Sequence, residues 1–338
     1  MSIRRALWVR TACTVPYLNL AREELLMKGV RPRECILYLW QNAHTVVVGR
    51  NQDCWKECDV KTLEAEGGHL ARRLSGGGAV YHDLGNLNFS FITSKGDYDV
   101  MRQTRVIVEA CRSLGIPAEI SGRNDLTAGG RKFSGSAFFH TAGRSCHHGT
   151  LLLRTKLTDM DRLLTASPEK LNSNGVRSVR ARVSNLCEFR PDITIDLMCE
   201  ALLQSFSRFY GAPLEAAPLP EEQAIADRAV FYASDLWRLS FRRPTDVNLS
   251  RRFDWGEFQL YASIRNGYLS NVRAYSDAME CDFVNRLPQS LEGVRYSAQA
   301  LASAVFSVGG DQKMASDIAN FLWKQVPPEQ SGVRRGIR

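Results

Sequence analysis

No stretch of this 338-residue chain approaches the run of about 20 apolar residues that a membrane-crossing helix needs, so no transmembrane segment is expected. A secretory start is missing as well. Residues 1–26 carry arginines but no apolar core, Pro16 and Asn19 interrupt them, and Glu23 and Glu24 are out of place in an Arg-rich transit peptide. The start reads as native chain, and a cytoplasmic protein is expected. The nine cysteines are scattered, their count is odd and no CxxC occurs, which excludes the usual disulfide framework; most should be small buried hydrophobes. Cys54 and Cys58 give half the spacing of a zinc site, but no second Cys/His pair completes it. There is no internal repeat, no low-complexity tract and no dense basic arm. The formal charge of +8 favours acidic partners, yet the arginines are spread along the chain without interleaved aromatics, which argues against a nucleic-acid binder. What remains is an ordinary globular composition at a length that favours two domains.

Residue patterning gives an α+β chain. Residues 35–40 and 45–48 are short β-prone runs around a four-residue connection and read as a hairpin. A strand is expected at 79–82. Residues 86–93, NLNFSFIT, alternate polar and apolar and predict a half-buried strand. Residues 100–114 carry Val106, Ile107, Ala110 and Leu114 at helical spacing, with Gly115 as the stop. Strands are expected at 131–139 and 148–153, and a helix at 194–210 ending at Gly211. Residues 211–222 hold three prolines and little periodicity, so they read as a linker or surface crossover. Beyond Asn248 two alternating runs, 258–264 and 268–275, flank Asn266-Gly267, a strong hairpin signal. Helical segments at 281–287 and 297–306 complete a small α+β unit. The organisation expected is a large mixed-sheet domain over 1–247 and a small C-terminal domain over 248–338.

The most informative stretch is residues 72–86, RRLSGGGAVYHDLGN. Two arginines lead into three glycines, which suggests a concavity of main-chain N–H donors beside guanidinium, suited to a phosphate or carboxylate. A Gly-rich turn with surface arginines is the plainer alternative. Three more clusters follow: SGRNDL at 121–126 with GGRKFSGSA at 129–137, CHHGTLLL at 146–153, and GVRSVRARVSNL at 175–186, which sets Arg177, Arg180 and Arg182 in a polar loop.

In this order, and with PYLNLAREELL near the start, WKEC, and FDWG leading into the C-terminal part, these blocks resemble the lipoate–protein ligase A family of the biotin/lipoate ligase superfamily over essentially the whole chain. The resemblance implies that superfamily's mixed-sheet catalytic domain and a two-step ligation. Lipoate and Mg-ATP give lipoyl-adenylate and pyrophosphate. A lysine ε-amino group on a lipoyl domain, of a 2-oxoacid dehydrogenase E2 subunit or the glycine cleavage H protein, then attacks the anhydride and releases AMP. Such chemistry needs no protein nucleophile. It needs two anions held together, an apolar slot for the acyl chain and exclusion of water.

The resemblance also implies roles. Lys132 bridges the lipoate carboxylate and the α-phosphate, a task suited to a compact cation. Arg73, Gly78, Ala79, Val80, Tyr81, Asn124, Asp125, Arg177 and Arg182 join it around ATP and the adenylate. Ser75, Gly76, Gly77, Gly78, His82, Gly135 and His148 join it around lipoate. Asp125 is the candidate Mg²⁺ ligand, or the group that receives the incoming lysine's proton. Plainer alternatives stand beside these: Lys132 as a surface strand cation, His82 and Asp83 as a structural pair, His147 and His148 as strand caps, Asp125 as a turn residue, and the 177–182 arginines as a solvated face. Expected partners are acidic lipoyl domains, with no nucleic acid or membrane and a monomeric enzyme. The rival chemistry is an ATP-independent octanoyl or lipoyl transferase using Cys146, activated by the adjacent His147. A relative that only transfers preformed adenylate is a further alternative. The segment between Leu126 and Arg131 is short, and the stretches 211–222 and 246–248 would serve as hinges.

Overall fold

The computed structural model describes residues 3–122, 125–165, 183–239, 245–279 and 282–326. The chain divides into two compact units. One comprises Met1–Arg50, Cys54–Ser75 and Ala79–Ser240; the other comprises Asn51–Asp53, Gly76–Gly78 and Phe241–Arg338.

The first unit contains β1 (Arg5–Arg10), β2 (Glu34–Trp40), β3 (Thr45–Val48), β4 (His69–Arg72), β5 (Val80–His82), β6 (Asn86–Ser94), β7 (Ala118–Ser121), β8 (Asp125–Ala128), β9 (Arg131–His140), β10 (Arg144–Leu152) and β11 (Leu214–Ala216). Eight of them form one sheet in the order β11-β1-β2-β6-β10-β9-β8-β7, and β4-β3-β5 form a second. In the large sheet β1 runs parallel to β2 and β11, and the other pairs are antiparallel.

Helices cover both faces of the large sheet. On one, Val100–Ser113 and Ile195–Tyr210 pack Val106, Ile107, Met198, Leu202 and Phe206 against Leu37, Leu39, Phe89 and Phe91. Their ends follow local rules. Asp99 and Thr194 accept from the backbone N–H groups of Arg102 and Leu197, and Gly211 closes the second helix at φ 62°. On the other face, Pro16–Gly29 and Glu222–Ala233 pack Leu20, Leu26, Ile225 and Tyr232 against Leu7, Val9, Ile36, Tyr38 and Trp40.

Several expectations change. Residues 35–40 and 45–48 do not pair. β2 lies between β1 and β6, whereas β3 pairs with β4 and β5 in the other sheet. All seven residues of β2 are buried, so both its faces need covers that a two-stranded ribbon does not supply. Residues 86–93 do form a strand, but eight of the nine residues of β6 are buried, and its polar face meets protein rather than water. β10 begins at Arg144, earlier than residue 148. The proline-rich stretch contributes β11, which extends the sheet edge beside β1. Pro16–Gly29, Glu222–Ala233 and, in the second unit, Gln312–Gln325 are helices that patterning did not reveal. Pro16 sits in the first helical turn, where a missing N–H is tolerated.

The second unit has an antiparallel sheet of β12 (Val247–Phe253), β13 (Gly256–Arg265) and β14 (Tyr268–Ser276). Asn266 and Gly267, at φ 53° and 83°, make the turn between the last two, as the Asn-Gly signal implies. Helices Asp282–Leu291, Ala298–Ser307 and Gln312–Gln325 pack Val284, Leu287, Leu301, Ile318 and Leu322 onto Phe258, Leu260 and Val272. Within this unit the N–H of Gly77 donates to the Ala278 carbonyl at 3.1 Å, and that of Ser276 to the Asn51 carbonyl at 2.7 Å. Among the described residues no helix is long and apolar enough to cross a membrane.

The turn into β6 has no room for a side chain. A Cβ on Gly85 would lie 2.2 Å from the Arg154 carbonyl oxygen. That backbone is fixed, because the N–H groups of Leu153 and Arg154 both donate to the Gly85 carbonyl, at 3.0 and 2.9 Å. Gly85→Ala is therefore expected to cost about 1–3 kcal/mol of stability. Urea unfolding reads this directly, and an unchanged midpoint would show that the turn opens freely.

Candidate active site

The glycine-loop segment begins where β4 ends, and its two arginines have different jobs. Arg72 donates from Nε to the Trp237 carbonyl at 2.9 Å, from Nη1 to those of Gly49 and Arg50 at 2.9 and 3.1 Å, and from Nη2 to that of Arg238 at 3.2 Å. Its guanidinium ties the segment after β3 to the short helix Asp235–Arg238. Arg73 turns the other way: its Nη1 donates to the Val47 carbonyl at 3.2 Å and its Nε to Ser75 Oγ at 2.9 Å. Of the expected pair of cations, Arg73 thus meets a candidate site residue, Ser75.

From Ser75 a buried polar line continues. Ser75 Oγ lies 2.6 Å from His148 Nε2, and His148 Nδ1 lies 2.9 Å from Glu23 Oε1. The same carboxylate oxygen accepts from Ser90 Oγ, whose own oxygen accepts from Trp40 Nε1 at 3.1 Å. Burial pushes the Glu23 carboxyl up. The charge and hydrogen bond of His148, with hydrogen bonds from Ser90 and Cys146, more than offset that and hold it below the usual carboxylate range. Glu23, Cys146 and His148 bring three donor atoms within 4.8 Å of one another. Both ring nitrogens of His148 already have protein partners, so the trio reads as a hydrogen-bonded line and not as a metal centre.

Strand alternation separates the two histidines of CHHG. Cys146 and His148 share one face of β10, and His147 occupies the other. There His147 meets Gln103 Oε1 at 3.1 Å and Ser136 Oγ at 3.0 Å, beside the rings of Phe89, Phe91 and Phe138. His147 therefore cannot activate Cys146. Burial, and then the adjacent Glu23 carboxylate, push the Cys146 thiol well above its ordinary value, the opposite of what a thioester-forming nucleophile needs.

His82 is buried. Its Nδ1 pairs with Asn42 Nδ2 at 3.1 Å, and its Nε2 has no hydrogen-bond partner among the described residues. Asp83 braces the following turn, accepting from the N–H groups of Gly85 and Lys156, both at 2.8 Å. The Tyr81 ring packs with Val46, Leu70 and Met160, and its hydroxyl meets His44 Nδ1 at 3.0 Å, which leaves its backbone for any nucleotide contact. Ala79 and Val80 lead into β5 half-buried. Gly76–Gly78 belong to the second unit.

Lys132 stands at a register shift between β8 and β9, where Leu126 opposes Ser134 but Thr127 opposes Lys132. Such a bulge re-aims side chains, and here Phe133 enters the core while Lys132 Nζ reaches Asp125 Oδ1 at 2.8 Å. Both ends of that pair are about two-fifths exposed, at 40% and 43%. A Cβ on Gly135 would lie 3.0 Å from Lys132 Cε and Nζ, so the missing side chain makes room for the folded-back lysine. Gly135 shares its β9 face with Ala137, which pairs across to His148. Val183 pairs with Lys132, and the Ser184 N–H donates to the Lys132 carbonyl at 2.9 Å. Asn124, Arg177 and Arg182 lie outside the described residues.

Arg73, Ser75 and His148 are thus joined by hydrogen bonds, with His82 near them, and Lys132, Asp125 and Gly135 form a second set along β8 and β9. Glu23 and Ser90 were missed. The one available signal for Glu23 was a charge at apolar spacing, between Leu20 and Met27 on a helix face.

Comparisons with known proteins give the family. Residues 15–207 match the lipoyl protein ligase A/B catalytic domain family, and residues 244–321 match the bacterial lipoate protein ligase C-terminus family. The chain belongs to the lipoyl protein ligase A/B family. It is 39% identical over 298 residues to the lipoate-protein ligase A of Psychrobacter cryohalolentis, covering 85% of this chain and 88% of that protein. It is 38% identical over 328 residues to the lipoate-protein ligase A of Bdellovibrio bacteriovorus, covering 92% and 96%. Among solved structures, P. falciparum LipL1 in complex with lipoate superposes with a TM-score of 0.78 at 24% identity, over 95% of this chain and 99% of that one, and shares the fold. A lipoate-protein ligase A bound with ATP gives 0.58 at 28% identity, over 70% and 98%. The bipartite lipoate protein ligase of Thermoplasma acidophilum, described with its E2 lipoyl domain, gives 0.62 at 28%, over 73% and 100%.

Two buried histidines predict an acid-sensitive fold. Burial, then Arg73 and His148, push His82 down to about 3, and burial, then His148, push His147 down to about 3. In the unfolded chain each takes up a proton near pH 6.5. Between about 6.5 and 3 the unfolded state therefore holds protons that the native state does not, so stability is lost as pH falls, by about 1.4 kcal/mol per pH unit for each histidine. Unfolding free energies compared near neutrality and below pH 6 should show this slope, and His147→Gln should flatten it by one proton. An identical slope in that variant would contradict the assignment.

Proposed function

We propose that the chain is an ATP-dependent lipoate–protein ligase, which activates lipoate as lipoyl-AMP and passes the lipoyl group to a lysine of an acceptor domain. The observation that carries this reading is Lys132, a half-exposed ammonium folded over Gly135 and paired with Asp125 at 2.8 Å. The relatives named lipoate-protein ligase A, at 38 and 39% identity over most of the chain, support it. So do neighbours solved with lipoate and with ATP.

In the first step a lipoate carboxylate oxygen attacks the α-phosphorus and pyrophosphate leaves. The barrier is the approach of two anions. A cation reaching both sets of oxygens lowers it, because its attraction grows as charge gathers in the transition state. Lys132 is suited to this, with Arg73 a second, buried cation on the Ser75 side. In the second step an uncharged lysine amine attacks the acyl carbonyl, AMP leaves, and the amine's extra proton departs. Asp125 carries a carboxylate at the right end of Lys132 to receive or orient that proton. No protein thiolate enters either step, in keeping with the protonated, buried Cys146.

A Mg²⁺ ion bound with the phosphates would supply further charge neutralisation. Asp125 fits it as a hard oxygen ligand with access to solvent. The T. acidophilum neighbour's E2 lipoyl domain supports acceptors of that class for this chain, and the net charge of +8 suits acidic ones. Free thiols at Cys13, Cys35, Cys54, Cys58, Cys111, Cys146, Cys187 and Cys199 suit a reducing compartment such as the cytoplasm.

Lipoate-dependent ATP–pyrophosphate exchange tests the first half-reaction. Wild type should exchange, Cys146→Ser should stay close to it, and Lys132→Ala should fall by roughly 100-fold or more. Absence of exchange in wild type rejects the adenylation reading, and acyl transfer that vanishes in Cys146→Ser would favour the thioester route. Gly135→Ala separates positioning from folding. A Cβ there meets only the far end of a flexible lysine, so stability should stay within about 0.5 kcal/mol of wild type. Exchange should nevertheless drop by roughly tenfold, because Lys132 is displaced by part of an ångström. Unchanged exchange would show that Lys132 does not work from this position.

A further inference from the structure

Glu23 is not needed by any step derived above, yet it is a carboxylate buried under the sheet. We propose that Glu23 is a positioning residue for the acyl-activating site: through His148 it sets the direction of the Ser75 hydroxyl, and Ser75 in turn holds the Arg73 guanidinium. This rests on the ligase reading and adds to it a residue outside the loop that binds the anions.

The direction of the line follows from its two ends. A guanidinium only donates and a carboxylate only accepts. Arg73 Nε–H donates to Ser75 Oγ at 2.9 Å, the Ser75 hydroxyl donates to His148 Nε2 at 2.6 Å, and His148 Nδ1–H donates to Glu23 Oε1 at 2.9 Å. With neutral His148 this is the one arrangement in which every contact has a hydrogen. All four side chains are buried, so water does not compete for them.

Glu23 sets this order, because a carboxylate facing Nδ1 keeps the His148 proton there and leaves Nε2 to accept from Ser75. The other charged and titratable groups around His148 are Arg73 beside the loop, Cys146 and His147 on its own strand, and His82 on β5. Among the groups in this set only Glu23 carries a compensating negative charge. A purely structural Glu23 would fill a polar gap under Ser90 and Cys146, and its removal would lower stability without reporting at Ser75.

The test is a double-mutant cycle on the full-length protein, with Glu23→Gln, Ser75→Ala and both together, read as kcat/KM for lipoate in pyrophosphate exchange. If Glu23 acts through Ser75, each single change lowers kcat/KM by roughly tenfold and the double variant falls little further, because coupled residues are non-additive. A double variant near the product of the two losses, roughly 100-fold, overturns the proposal. If Glu23→Gln does not fold, the same cycle with His148→Gln reads the coupling from the middle of the line. Imidazole ¹⁵N shifts need no activity, so they separate failure here from failure of the ligase reading. A neutral His148 protonated on Nδ1 in wild type, and altered in Glu23→Gln, supports the line; a neutral ring protonated on Nε2 removes it.

Discussion

Removing a carboxylate from water costs several kcal/mol unless donors replace the water, and Glu23 imposes that requirement on three strands at once. Its donors are His148 and Cys146 on β10 and Ser90 on β6, and Ser90 is itself held by Trp40 on β2. These strands are neighbours in the order β2-β6-β10, and Ser90, Cys146 and His148 face Glu23 of the helix Pro16–Gly29. The first helix therefore fixes more than an apolar contact. It determines which side chains of the central sheet can be polar, and through His148 it reaches Ser75 at the start of the glycine loop. A glycine-rich segment has little rigidity of its own. Arg72 and Arg73, anchored on backbone carbonyls and on Ser75, and the line behind Ser75 hold the residues that lead into it.

The same constraint explains what was legible in the sequence. Helices at 100–113 and 195–210 announced themselves because their signals are local: apolar residues at helical spacing and a terminal glycine. The Asn266-Gly267 hairpin was equally local. Strand pairing is not local, and the hairpin expected of β2 and β3 failed because neighbouring apolar runs do not say which sheet each will join. β6 misled for a more specific reason. Asn86, Asn88 and Ser90 alternate with Leu87, Phe89 and Phe91 as a solvated strand would, but the polar residues are buried too: Asn86 donates to Asn88, and Ser90 to Glu23. Pro16–Gly29 was obscured in the same way, since Asn19, Arg22 and Glu23 are buried and blur its apolar stripe. Patterning that misreads a polar residue as solvated is expected where a site lies beneath the surface.

The candidate site itself was legible as ordered blocks of residue types, which singled out Arg73, Ser75, Lys132 and His148. The blocks did not say which of two adjacent arginines faces inward, or how Gly135 serves Lys132. Strand alternation separates His147 from Cys146 only because β10 begins at Arg144; a strand starting at residue 148 leaves both in a turn, where thiol and imidazole could meet. Glu23 was beyond reach, because its role depends on side chains from β6 and β10 that only the fold brings to it.

The two sets of candidate site residues differ in burial, and the difference suits the two unlike steps of the proposed reaction. Arg73, Ser75, His148 and Glu23 are shut away from water in a single hydrogen-bond order, so they can be aligned before substrate arrives and need no rearrangement during the reaction. Lys132 and Asp125 are about two-fifths exposed. An ion pair in that position contributes no more than about 1 kcal/mol, so an incoming phosphate or carboxylate displaces Asp125 from Lys132 at little loss. Until then Asp125 keeps the ammonium from swinging into solvent, and Gly135 keeps the space beneath it clear. A lysine locked as tightly as Arg73 would serve one anion well. One held loosely at a bulge can follow charge from a carboxylate and a phosphate in the first step to a departing AMP in the second.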